Sequence, residues 1–235
     1  DFGYTSGGSD LEVIEKFSFT TDANASDVGD LTVGRDQVSG QSSVDFGYTS
    51  GGVVNTSSTK DIIDKFPFAT DANATDVGNL TTSREELSGQ SSTDFGYTSG
   101  GENSSGNMVS VINKFSFSTD SNASNVGNLT AARSFLAGQQ STDFGYASGG
   151  SGNVNTIDNF PFATDTDASD VGDLTVGRFQ PAGQSSVNFG YCSGGGNGSG
   201  EVNIIDKFSF ASGTQNASDV GDLTVTRRSA AGQQV

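Results

Sequence analysis

The 235-residue chain carries 28 acidic and 11 basic side chains, and its net charge of −17 repels the phosphate backbone that nucleic-acid binders neutralise with Lys and Arg. It has no His and one Cys, which excludes imidazole acid–base chemistry, Cys/His zinc sites and internal disulfides, and no apolar run approaches the ~20 residues of a membrane helix. Leu, Ile, Val and Phe supply about a fifth of the residues, so a stable core has to come from regular placement of few apolar side chains.

That regularity begins at the first residue. The tetrad Phe-Gly-Tyr-x, followed by Ser-Gly-Gly, starts five times, and cutting just before it gives the repeats 1–44, 45–93, 94–142, 143–187 and 188–235, which tile the chain as a single domain. In each repeat the first segment, as in Asp45 to Gly52, alternates aromatic and small residues and stops at a glycine pair, the pattern of a strand that ends in backbone of positive φ. The second, Ile62 to Phe68, sets Ile62, Asp64, Phe66 and Phe68 on one face at period two. A third, shorter segment runs from about Val77 to Thr81, and the fourth, around Ser88 to Ser92, contains little besides small residues.

Helical spacing of the apolar residues is missing throughout. Four short strands in a unit of about 47 residues, five times over, predict an all-β chain: a five-bladed β-propeller of four-stranded antiparallel blades. Its innermost strands converge on a narrow axis where Gly40, Gly89, Gly138, Gly183 and Gly232 fit. The final segment, Ala230 to Val235, is an inner strand without a hairpin partner of its own, and it is expected to complete the first blade and close the ring.

The order Arg, a few variable residues, Ala/Ser-Gly, a hairpin, Tyr-x-Ser-Gly-Gly, a variable loop, Val/Ile-x-x-Phe and Leu-Thr-x-x-Arg resembles the kelch repeat in all five copies. Phe stands where that repeat often has Tyr, and the chain has no Trp. The resemblance implies the same propeller fold. The wording from Ile63 to Gly78 is also similar to repeats in structural or fibre-associated proteins of marine phages and bacteria, which implies an extracellular or virion-associated setting.

Few residues suggest reaction chemistry. The stretch Asp22 to Gly29 places oxygen side chains at alternate positions, as a calcium loop does, and recurs from Asp71, Asp120 and Asp165. Its glycine stands eighth instead of sixth and no Glu follows, so an Asx-rich connection bonding its own backbone is favoured; no cofactor is expected, and calcium is the alternative. Asn24, Asn73, Asn122 and Asn216, each in Asn-Ala-Ser/Thr, read as turn residues ahead of glycosylation acceptors. The recurring Asp-Phe-Gly lacks every companion motif of a kinase. Arg35, Arg84, Arg133, Arg178 and Arg227 are expected to tie a loop carbonyl or a neighbouring Asp, and Gln41, Gln90, Gln139, Gln184 and Gln233, a ring beside the axial channel, to satisfy inner-strand polar groups; five-fold rings holding an anion or a water column are the alternative. Cys192 replaces a Thr or Ala of the other copies and reads as a small strand residue. Near-identical blades offer five equal environments, whereas catalysis needs distinct ones, so an enzyme is not expected.

Two stretches differ freely between copies. One is the loop after the glycine pair; the other follows the repeat Arg. Blade topology puts both on the same end of the propeller, where a rigid scaffold presents binding groups. Asp36, Gln37, Glu85, Glu86, Ser134, Phe135, Phe179, Gln180, Arg228 and Ser229 are the candidate ligand-binding residues, with Phe135 and Phe179 as stacking anchors. The expected role is a non-enzymatic module recognising a protein or a surface glycan, as a monomer or as part of a larger assembly such as a phage or cell-surface appendage. A purely structural assembly protein and a lectin with one site per blade are the alternatives. Neither nucleic acid nor membrane is an expected partner.

Overall fold

The computed structural model describes residues 2–211 and 216–232, and every regular element among them is a β-strand. Strands Ser39–Ser42, Phe46–Ser50, Ile62–Pro67 and Thr75–Asn79 form one four-stranded antiparallel sheet in that order from the axis outwards. Three further sheets repeat it, beginning at Ser88–Ser91, Ala137–Gln140 and Ala182–Ser185. The first blade shows Phe2–Ser6, Val13–Ser18 and Ser26–Asp30, a three-stranded sheet among the described residues. Each of the later four blades thus takes its inner strand from the repeat before it. The five blades are arranged as a β-propeller.

Small residues determine how closely the strands can pack. Gly47 lies opposite Phe66 in register, and the Phe66 ring covers it so closely that a Cβ at Gly47 would collide with the ring. Gly96, Gly145 and Gly190 stand under Phe115, Phe160 and Phe208 in the same way. At the axis Gly89 and Gly138 abut the carbonyls of Gly40 and Gly89, which only a residue without a side chain permits. The outer strand carries a bulge: Ile63 pairs with Gly78 and Asp64 with Asp76, leaving Val77 as the extra residue that increases the twist.

Burial of the second strand is not confined to the face that carries Asp64 and Phe66. Ile63 and Asp64 are neighbours in sequence, so they point to opposite faces, yet both are fully buried. Blades stack face to face, and each central strand is therefore covered on both sides. One side holds an aromatic stack: Tyr48 lies on Phe117 at 4.8 Å and against Phe115 at 5.4 Å in the next blade. Tyr4, Tyr97 and Tyr146 stack at 4.7 Å on Phe68, Phe162 and Phe210. The core is accordingly a set of separate wedges between blades, such as the one built from Tyr48, Ile63, Leu80, Leu87, Phe115 and Ala123.

The closing strand expected at Ala230 to Val235 falls partly on residues 233–235, outside the described residues. Up to Gly232 the chain follows the inner ring, with Gly232 against the Gly183 carbonyl as Gly183 is against that of Gly138.

Candidate binding face

The segment Leu-Thr-x-x-Arg fixes the site from below. After the outer strand of the first blade, Thr32 donates from its amide (3.2 Å) and hydroxyl (2.7 Å) to Asp64 of the second blade, and the Arg35 guanidinium meets the same carboxylate at 2.8 Å. Arg35 also donates to the Thr49 carbonyl. The arrangement recurs as Thr130 and Arg133 on Asp158, and as Thr175 and Arg178 on Asp206. These three Arg side chains are buried with their partners, as is Arg84. Burial pushes the Arg35 guanidinium down and the Asp64 carboxyl up, each pulled back in part by the other.

Of the five repeat arginines two differ: Arg227, in the fifth blade, is exposed and has no ion pair among the described residues, and the clamp at Arg84 is altered in a way that sequence reading missed. Asn113 occupies the position of Asp64, so Arg84 has no carboxylate there; it donates to the Thr98 hydroxyl at 2.6 Å and to the Thr98 and Val111 carbonyls. Burial alone holds Arg84 at about 10. The signal was present as Val-Ile-Asn-Lys-Phe in place of Ile-Ile-Asp-Lys-Phe.

Immediately after each clamp come the variable residues. The first of each pair turns toward the loop of the following blade: Asp36 bridges Val53, Glu85 pairs with Glu102, and Phe179 bridges Gly196. Both variable stretches therefore meet at one end of the propeller, as blade topology required. The second of each pair, Gln37, Glu86, Phe135, Gln180 and Ser229, has φ between 53° and 59°. Four kinds of side chain at five positions share this left-handed backbone, which costs a non-glycine residue ~1 kcal/mol or more, so the ring imposes it and no local sequence signal announces it. The amides of Glu86, Phe135, Gln180 and Ser229 each donate to the carbonyl of the preceding member, at 2.8 to 3.2 Å, and make a collar around the axis.

The collar surrounds a depression of about 430 Å³, lined by all five of these residues and by Asp36, with Val38, Leu87, Leu136 and Pro181 among the apolar lining. On its rim the Phe135 and Phe179 rings lie 6.4 Å apart, the Arg228 guanidinium stands 5.5 Å from the Phe179 ring, and Arg228 approaches Glu201 at 3.7 Å. With its amide nitrogen turned inward, Gln37 donates to Glu85 at 2.8 Å and to Glu86 at 3.0 Å. Glu86 is pushed up to about 7, mainly by burial, with the Ser134 hydroxyl pulling the other way and Glu102 and Glu85 adding to the rise. Glu85 is raised by burial and then by Glu102. Of the ten candidate residues, Ser134 does not face the rim; it is buried, and its amide and hydroxyl bond the Ser151 hydroxyl.

The Gln residues bond polar groups of the inner strands, as expected of them, and Gln41 and Gln139 also line the axial depression beside Gly40, Gly89 and Gly138. Gln41, Gln90 and Gln139 are buried, and each donates to the carbonyl of a Tyr in the next blade: Tyr97, Tyr146 and Tyr191, at 2.9 to 3.2 Å. Gln184 bonds Ser193, and Gln233 lies outside the described residues. An inner-strand Gln alternates with the axial Gly and so points sideways between blades. The Asp-rich connections are likewise engaged across blades. Asp71, Asp120 and Asp165 receive Lys16, Lys65 and Lys114 at 2.5 to 2.9 Å, and the Asn73, Asn122 and Asn216 side-chain oxygens accept the amides of Asp30, Asn79 and Asp173.

No protein-family model matches the chain, and no curated protein does. Among solved structures the chain is similar to YjhT, with a TM-score of 0.82 over 98% of this chain and 84% of that one, at 13% identity. The likeness is one of fold, and it confirms the propeller arrangement.

Proposed function

We propose that the chain is a non-enzymatic recognition module, a kelch-like propeller that grips a protein surface or a glycan with the collar end of its axis. The observation that carries this reading is the collar itself. The positions that differ most between otherwise matching repeats are held together, in a backbone conformation they do not choose, around one depression. A rigid frame with changeable side chains is how binding loops are usually presented. The rim supplies two aromatic faces, a guanidinium and several carboxylate and amide groups, the set that stacks on a sugar ring or an aromatic side chain and bonds the hydroxyls or amides around it. Residues shared by all repeats are largely occupied in contacts between blades, which favours one composite site over an equal pocket per blade. A phage or cell-surface appendage is the setting in which we place the module.

Screening the chain against glycan and protein arrays tests the reading. Reproducible hits should weaken at least tenfold in the double variant Phe135→Ala, Phe179→Ala while the far-ultraviolet circular dichroism stays unchanged. Hits that survive this double substitution place the binding surface elsewhere.

A further inference from the structure

The four interfaces between successive blades share one pattern, and the space between the fifth blade and the first lacks it. On the leading side of each interface stand a Tyr, the outer-strand Gly and, in the first three, a Lys. On the trailing side stand a Phe-x-Phe pair and the Asx-rich connection. Thus Gly29, Gly78 and Gly127 press on the backbones at Ala72, Ser121 and Thr166, and the amides of Ala74, Ala123, Ala168 and Ala217 donate across the interface at 2.7 to 2.8 Å. Among the described residues none of these contacts links the fifth blade to the first. Gly221 has nothing within 4 Å of where a Cβ would stand, Gly40 on the inner ring is equally open, and Val220 is 52% exposed. The Lys207 ammonium, with no carboxylate opposite among the described residues, lies over its own blade's Phe189 ring at 3.9 Å. Across the gap Phe19 is 40% exposed. The collar of amide bonds also stops there, running from Gln37 to Ser229 without returning.

We propose that this gap is a docking site for one further blade, a four-stranded unit of about 47 residues built to the same repeat pattern. Three observations select that occupant over direct closure of blade five on blade one. The Tyr–Phe stacks of the four made interfaces sit at 4.7 to 4.8 Å, so each is already fully packed, and closing the ring on five blades would require all of them to repack at a steeper angle. The five blades cover 84% of YjhT, leaving 16% of that propeller, about a fifth of the matched length, which is one blade's share. Finally, the strand needs on the two sides add up to a single repeat. Gly232 already stands on the inner ring beside the fifth blade, where a unit beginning with Phe-Gly-Tyr would continue outwards. Among the described residues no strand pairs with the inner edge of Phe2–Ser6, which is identical in sequence to Phe46–Ser50, the strand that pairs with Ser39–Ser42. One repeat ends in just such a small-residue strand. Charge agrees as well: Lys207 calls for an Asp and Asp22 for a Lys, the pairing that joins Lys65 to Asp120.

The test compares the 235-residue chain with the same chain extended after Val235 by a second copy of residues 93–142, which keeps the six-residue spacing from the axial Gly to the Phe of Phe-Gly-Tyr. Amide hydrogen exchange is read at the Phe2–Ser6 amides that point away from Val13–Ser18. In the extended chain, running as a monomer, they should exchange about 100-fold more slowly than in the original, reaching the protection of Phe46–Ser50. Replacing both residues of the Phe-x-Phe pair in the added copy by Ser should abolish the gain. Full protection in the unextended monomer would show that the ring closes on itself, and full protection in an unextended dimer that a second copy fills the gap; either overturns the proposal, as does an extension that leaves these amides unprotected. No ligand enters the measurement, so its outcome is separate from that of the binding screen.

Discussion

Replacing Asn113 by Asp should stabilise the protein. Arg84 is fully buried between the second and third blades, and burial that holds its guanidinium down at about 10 disfavours the charged form by on the order of 3 kcal/mol. The equivalent Arg35, Arg133 and Arg178 each have a carboxylate at 2.8 to 3.0 Å. Supplying one to Arg84 does not recover the whole cost, because the new carboxylate must itself be buried; at the Arg35–Asp64 pair both groups still shift in the direction burial dictates. A net gain of about 1–2 kcal/mol is the expected balance, which for a chain of this size raises the melting temperature by roughly 2–8 °C. The geometry accepts the change: Thr81 already donates its amide (3.0 Å) to the Asn113 side-chain oxygen, and its hydroxyl, which now accepts from the Asn113 amide nitrogen (2.8 Å), can turn to donate to the second carboxylate oxygen as the Thr130 hydroxyl does to Asp158. Calorimetry on Asn113→Asp reads the gain, and Asp158→Asn supplies the reverse, with a loss of ~3 kcal/mol or more from stranding Arg133. A cycle with Thr98→Val adds a second check, since the Thr98 hydroxyl that now receives Arg84 should matter less once the carboxylate is present. An Asn113→Asp protein that melts at or below the original temperature refutes the argument that a missing carboxylate limits this interface.

Glu86 should make stability depend on pH. Its folded value of about 7 lies above the ordinary 4.5, so the folded state holds a proton that the unfolded state releases, and stability should fall as pH rises from about 4.5 to 7, by ~1–2 kcal/mol after allowance for its partial exposure. Urea unfolding at pH 5 and pH 8 should show that difference shrinking in Glu86→Gln; an equal difference in both proteins refutes the assignment. Gly96→Ala should cost ~1–3 kcal/mol, since the added methyl meets the Phe115 ring, and an unchanged denaturation midpoint would mean that the ring moves aside freely. The Cys192 thiol is fully buried, and burial pushes it upward, so a thiol reagent at pH 8 should label it only as the protein unfolds. Rapid labelling of the native chain would contradict the packing of the fifth blade.

Much of the architecture is legible in the repeats because each blade's conformation is local: glycine pairs stop strands, alternation sets faces, and small residues mark the axis. The binding face was legible only in part. Its location followed from comparing copies, since Asp36, Glu85 and Phe179 differ where their surroundings do not. The left-handed backbone at Gln37, Glu86 and Phe135 was not legible, because no glycine marks it and the ring of neighbouring blades enforces it. For the Gln series the place beside the axis was legible but the partner was not: that Gln41 reaches the Tyr97 carbonyl of the next blade depends on how the blades turn about the axis.

By itself the sequence determined the unit, its strand count and its repetition, because hydrogen-bond pairing and period-two burial are properties of a single repeat. Only the tertiary structure decided which groups meet between repeats: that Arg35 reaches Asp64 while Arg84 finds Asn113, that five variable pairs form one collar, and that among the described residues the fifth blade and the first lack the contacts that join the other blades. The angle at which blades pack is a property of their interface, and it appears only when neighbouring blades are seen together.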